Sequence, residues 1–189
     1  MNIGLGDNDF SFAVYIANKP NMLEYQALCG VTPLVEGEVN MINQACGNGW
    51  RKVFNVYAKL LYALDKKHFH YSDKALTWQN YRDRYLLQAQ SKTALLFSVP
   101  QLVPNKEANK VTNNKQSADK EIVHIICGKG HAKALINSGK LVTKLVWLNE
   151  EFAIDRDNKL IVCPYFDYRQ LSNIKIERLA GLLQSLKRV

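Results

Sequence analysis

Two short clusters carry most of the chemistry that this sequence offers. The first is IICGKGHAKAL at 125–135, where an apolar segment turns through Gly128, Lys129, Gly130 and His131 into helix-like residues. Glycines permit positive φ and close backbone approach. A helix that starts at such a turn aims free N–H groups and its positive dipole end outward, which receives phosphate or carboxylate. Lys129 adds a point charge and His131 a hydrogen bond or a proton. The same residues also fit a plain strand-to-helix corner with a surface lysine and a capping histidine. The second cluster is CPYFDYRQLSN at 163–173, which gathers Tyr165, Asp167, Tyr168 and Arg169 before a C-terminal helix. Aromatic rings with an arginine stack on bases or wall a ligand, and a carboxylate orients a polar group or accepts a proton. Its other reading is packing of Tyr165 and Phe166 beneath the last helix, with Asp167 paired to Arg169.

Two weaker clusters follow. His68 and His70 in KKHFHY share one face if the segment is a strand, but no third or fourth ligand stands nearby, so no metal site is expected. Asp7 and Asp9 in GLGDND suit either a cation or a polar turn. The spacing G-x-x-x-x-G-K-[ST] is absent, and G-x-G-x-x-G fails because position 133 is Lys. No G-x-S-x-G elbow, H-E-x-x-H helix or kinase signature appears, and no cofactor is called for.

The elements that must position these clusters are legible in outline. Apolar runs at 11–17 (SFAVYIA), 92–100 (KTALLFSVP), 121–127 (EIVHIIC), 141–148 (LVTKLVWL) and 160–163 read as strands. In WRKVFNVYAKLLYALDKK, Trp50, Val53, Phe54, Tyr57, Leu60, Leu61 and Leu64 form one helical stripe, with Arg51, Lys52, Asn55 and Lys59 largely outside it. Further helices are expected at 22–30, 38–45, 73–88, 131–137 and 173–188. Buried strands alternating with helices predict an α/β fold: a three-layer α/β/α sandwich around a mostly parallel sheet of four to five strands. One domain over 1–189 accommodates this, with a helical insertion at about 36–90 and a mobile polar loop at about 104–120. In an open parallel sheet ligands bind beyond the carboxyl ends of the strands, which brings Asn18, Lys19 and both clusters to one rim.

The 189 residues are 47% hydrophobic and 22% charged, enough for a core and against global disorder. The net charge of +8 is regional: residues 50–92 hold nine Lys/Arg against three Asp, while 31–49 hold two Glu and no base. A basic region attracts nucleic acid, anionic metabolites or acidic partners, or is simply a solvated face. Four scattered cysteines without C-x-x-C spacing fit a reduced interior. The N-terminus MNIGLGDNDF lacks a basic n-region and an apolar h-region, and no run approaches the ~20 residues that span a bilayer. A cytoplasmic protein without membrane contact is expected.

Three segments, KTALLFSVPQLVP, VHIICGKGHAKAL and LIVCPYFDYRQLSN, resemble in order parts of the uracil-DNA glycosylase superfamily. They match its strand into the middle loop, its strand–glycine–helix segment with a His-Ala pair, and its strand and loop that enter the DNA groove. The resemblance implies a four-stranded parallel sheet between helices and a nucleic-acid partner. It departs at both catalytic motifs: IANKPNMLEYQ holds no Asp or His, and Cys163 stands at the HPSP-type histidine. No catalytic residue is carried over. The reading is a glycosylase-like α/β protein binding nucleic acid or a nucleotide at the rim. The alternatives are an enzyme on an anionic metabolite, with His131 as acid/base, Lys129 as clamp and Asp167 as orienting group, and a protein-interaction module using the helical insertion.

Overall fold

The computed structural model describes residues 1–102 and 121–187. The expected loop at 104–120 lies outside the described residues. In chain order the elements are β1 (Gly4–Gly6), β2 (Phe12–Tyr15), α1 (Leu23–Gln26), β3 (Val31–Thr32), α2 (Glu38–Cys46), α3 (Asn48–Ala63), a 3-10 turn (Ser72–Lys74) and α4 (Trp78–Arg84). Then come β4 (Thr93–Leu96), β5 (Val123–Cys127), α5 (Lys129–Asn137), β6 (Val146–Trp147), β7 (Ala153–Asp155), β8 (Leu160–Cys163) and α6 (Asn173–Ser185).

The strands form one sheet in the order β3-β1-β4-β2-β5-β8-β7-β6. This corrects the expected mostly parallel sheet of four or five strands: the sheet is mixed and has eight strands among the described residues. Its central four, β4-β2-β5-β8, run parallel. Antiparallel pairing joins β1 to β4, β7 to β8 and β6 to β7. The strands beyond those expected, β1, β3 and β7, are only 3, 2 and 3 residues long. In β1, a Cβ on Gly4 or Gly6 would sit 2.2 or 2.3 Å from the Leu95 or Thr93 carbonyl oxygen of β4, so only glycine lets that backbone approach. Leu5 is then its one core side chain.

Side chains alternate across the sheet. Phe12, Val14 and Ile16 meet buried residues of α1, α2, α3, α4 and α6 on one face. Ala13 and Tyr15 meet Ala132 and Leu135 of α5 on the other. Helix α3 is the largest contributor, burying Trp50, Val53, Phe54, Val56, Tyr57, Ala58, Leu60 and Leu61. Each large side chain so buried stabilises the fold by about 1.5–3 kcal/mol. Helix α4 is shorter than the sequence suggests. It ends at Arg84, after which Leu87, Gln90 and Lys92 take positive φ while Leu86 and Leu87 turn into the core. The run 141–148 is not one buried strand either: Val142 and Val146 are exposed, and only Val146–Trp147 pairs, at the sheet edge.

This topology decides where a site can form. The connection leaving β2 carries α1 to α4 over one face and returns as β4, beside β2. The connection leaving β5 carries α5 over the other face and returns as β8, beside β5. The two chains therefore diverge at the carboxyl ends of β2 and β5, and such a switch point leaves a crevice.

Candidate functional site at the strand ends

A cleft of about 470 Å³ occupies that crevice. Ala17 and Asn18 enter it from β2; Cys127, Gly128, Lys129, Gly130 and His131 from β5 and α5; and Pro164, Tyr165 and Gln170 from the segment after β8. The tip of the β6–β7 hairpin closes it with Glu150 and Glu151. A larger hollow of about 680 Å³, lined by Leu102, Lys140 and Asn158 among others, lies apart from both clusters.

The corner is held on two sides. Gly128 has φ +98°, a conformation that L side chains rarely adopt, and caps α5 without any side-chain hydrogen bond. Its N–H donates to the Cys163 carbonyl at 2.9 Å, and its carbonyl accepts from Ala132 N–H at 3.1 Å. The Phe166 N–H donates to Cys127 Sγ at 3.1 Å. The β5 corner and the segment after β8 are thus laced together. The first N–H groups of α5 have no partner inside the helix, and the residues that carry them, Lys129, Gly130 and His131, line the cleft.

Charge on the cleft is balanced. Lys129 Nζ meets Glu150 Oε2 at 2.9 Å and sits 5.5 Å from the Trp147 ring centroid. The Lys129 hydrogen bond and charge hold the Glu150 carboxyl below its ordinary value. Lys175 pairs with Glu151 at 2.5 Å. His131 is half-buried, and burial lowers its pKa from the ordinary value, which favours the neutral ring. Burial raises the Tyr165 pKa, against a hydrogen bond from Asn18 that lowers it. Burial pushes the Cys127 thiol up to about 12 and Cys163 well above its ordinary value. Neither is a ready nucleophile.

The structure therefore gathers Gly128, Lys129, Gly130, His131 and Tyr165 around one cleft. It does not bring Asp167, Tyr168 and Arg169 to its wall. Asp167 points to α3, where Lys52 Nζ meets its Oδ2 at 2.8 Å. Desolvation raises the Asp167 pKa, but the Lys52 hydrogen bond, the Arg169 N–H and both charges outweigh it and hold the carboxyl low. Tyr168 and Arg169 are exposed, with the guanidinium 5.9 Å from the ring centroid. Glu150, Glu151 and Gln170 join the cleft without having been singled out in the sequence. The signal for the hairpin tip was Asn149, whose side chain accepts from the Glu151 and Phe152 N–H groups as a turn-forming Asn does.

The weaker clusters resolve into structure. His68 and His70 are not on a strand; their Nδ1 atoms face Asp65 and Asp73 separately. No group of three or more His, Cys, Asp or Glu suited to a metal ion occurs among the described residues. Asp7 accepts from the Asp9 and Lys92 N–H groups, both at 2.9 Å, and so ties the turn after β1 to the start of β4. Five of the cations at 50–92, namely Lys52, Lys66, Arg82, Arg84 and Lys92, pair with carboxylates. Among the described residues no helix is long and apolar enough to cross a membrane.

No curated protein and no solved structure matches the chain. A family model described as "Family of unknown function (DUF6942)" matches residues 3–184, nearly the whole length, and the chain belongs to that family.

Proposed function

We propose that the strand-end cleft binds a nucleotide, free or within a nucleic acid, with a base against Tyr165 and a phosphate at the first turn of α5. The single observation that carries this reading is the cleft's place where β2 and β5 send their chains to opposite faces. Its size suits such a ligand. Gly128 leaves the floor open beside the Tyr165 ring: a Cβ there would lie 3.8 Å from Tyr165 Cδ2. Lys129 exchanges Glu150 for the phosphate, which costs little because Glu150 is almost fully exposed. The glycosylase-like framework belongs to this proposal and draws only on the four central parallel strands, which are part of a larger mixed sheet. Four free cysteines support a reducing, cytoplasmic setting. No catalytic role is assigned to any residue. The anionic-metabolite enzyme loses its orienting carboxylate, because Lys52 holds Asp167 away from the cleft.

The test is amide chemical-shift mapping with nucleoside monophosphates and inorganic phosphate. Shifts confined to 128–131 and Tyr165, weakened in Lys129→Ala, are expected. Unmoved amides at 128–131 under every nucleotide refute the proposal.

A further inference from the structure

Opposite the buried stripe of helix α3 lies a polar one, with Arg51 exposed and Lys52, Asn55 and Lys59 half-buried at its edge. At 100° per residue Arg51, Lys52, Asn55 and Lys59 fall within about 100° of one another. Neighbouring elements bring an aromatic ring to each end of this stripe. Near its start stands Tyr168, 55% exposed, from the segment between β8 and α6. Lys52 Nζ lies 5.1 Å and the Arg169 guanidinium 5.9 Å from its ring centroid. Seven residues on, about 10 Å along the axis, Lys59 Nζ lies 5.0 Å from the Trp78 ring of α4 and the Arg82 guanidinium 5.6 Å. Asn55 ties the middle together, its Oδ1 accepting from Arg82 Nη1 at 2.5 Å.

The charge and the shape of this surface ask for one kind of occupant. The carboxylates bonded to its cations are Asp167 on Lys52 and Asp83 on Arg82. Arg51, Lys59 and Arg169 remain as surplus positive charge along the stripe. An acidic polypeptide needs the cations alone. Two rings set among them, exposed Tyr168 and half-buried Trp78, each with a pair of cations over it, fit a ligand that alternates flat apolar plates with negative charges. A duplex hides its plates in the base stack, whereas a single strand exposes them. We infer that the outer stripe of α3 is a track for single-stranded nucleic acid, with bases stacked on Tyr168 and Trp78 and phosphates on Arg51, Lys59 and Arg169. Each base displaces a cation from the ring face, and the adjoining phosphate receives that cation, so little positive charge is left unpaired. The track lies outside the cleft and does not depend on a nucleotide binding there.

Fluorescence anisotropy with a labelled oligothymidylate and a duplex of equal length tests it. The full chain is compared with Tyr168→Ala, Arg51→Ala and Trp78→Phe after circular dichroism has verified their folding. The full chain is expected to prefer the single strand, with affinity falling steeply between about 50 and 200 mM salt. Tyr168→Ala weakens binding about tenfold. Arg51→Ala lowers the slope of log affinity against log salt by about one. Indole fluorescence is quenched on binding, and this quenching is lost in Trp78→Phe, which keeps a smaller ring in place. Absence of single-strand binding at the lowest salt overturns the inference. So does wild-type affinity in both Tyr168→Ala and Arg51→Ala, or equal binding of polyglutamate with the same losses in the variants. Amide shifts at 128–131 with mononucleotides are retained in Tyr168→Ala, so failure of the track and failure of the cleft read out separately.

Discussion

Protonation of His124 is expected to remove a defined share of the stability of the sheet. His124 lies on β5, is 6% exposed, stacks on Tyr15 with ring centroids 5.7 Å apart and shares a hydrogen bond of 2.8 Å between its Nδ1 and Tyr15 Oη. Burial lowers its pKa from 6.5 to about 4. Above pH 6.5 neither the folded nor the unfolded chain carries the proton, and the contribution of the neutral ring is fully present. Between 6.5 and 4 the unfolded chain takes up a proton that the folded chain refuses. Stability from this group therefore falls by about 1.4 kcal/mol per pH unit and levels off near pH 4, a loss of about 3 kcal/mol. Urea unfolding from pH 7.5 down to 4.5 measures the slope, and His124→Gln removes the titrating group while keeping a polar partner for Tyr15. The wild type should lose more stability than the variant over that interval, and the ring protons of His124 should hold their neutral shifts down to about pH 5. Equal slopes in the two proteins, or a ring that titrates at 6.5, would refute the reasoning.

Two further outcomes follow from buried groups. Asp155, 2% exposed, accepts from Thr143 Oγ1 at 2.6 Å, the Lys144 N–H at 2.9 Å, and the Asn158 N–H and Nδ2 at 3.2 and 2.8 Å. Asp155→Ala strips four donors at once and should destabilise the protein by about 3 kcal/mol in thermal or urea unfolding; a loss below about 1 kcal/mol contradicts that accounting. Thiol labelling should separate the cysteines: exposed Cys29 and half-buried Cys46 react in the native protein, while Cys127 and Cys163 react only on unfolding. Rapid modification of all four without denaturant contradicts the burial of the β5 and β8 ends.

The central strands were legible because β2, β5 and β8 are apolar on both faces, which a single sequence displays. Strand β1 was not, since Gly4 and Gly6 earn their places through the backbone of β4, a contact made about ninety residues away. The sequence pattern also misplaced the run at 141–148. Its apolar residues fit a buried strand, but Thr143 and Lys144 are bound to Asp155 across a turn, and only Val146–Trp147 pairs. The glycine corner at 128–131 was visible as local chemistry: strand, positive-φ glycine, helix. The fate of Asp167 was not, because its partner Lys52 stands 115 residues away and no local pattern joins them.

The segment after β8 carries a ring on each side of itself, Tyr165 in the cleft and Tyr168 on the outer stripe, and it is anchored to β5 through the Phe166 N–H on Cys127 Sγ. It is one short stretch of chain serving two surfaces. A ligand that fixes its conformation at either one changes the freedom the other still has to lose. Thermodynamic linkage makes any such influence reciprocal, so the factor by which the first occupant alters the second affinity is the factor returned to it.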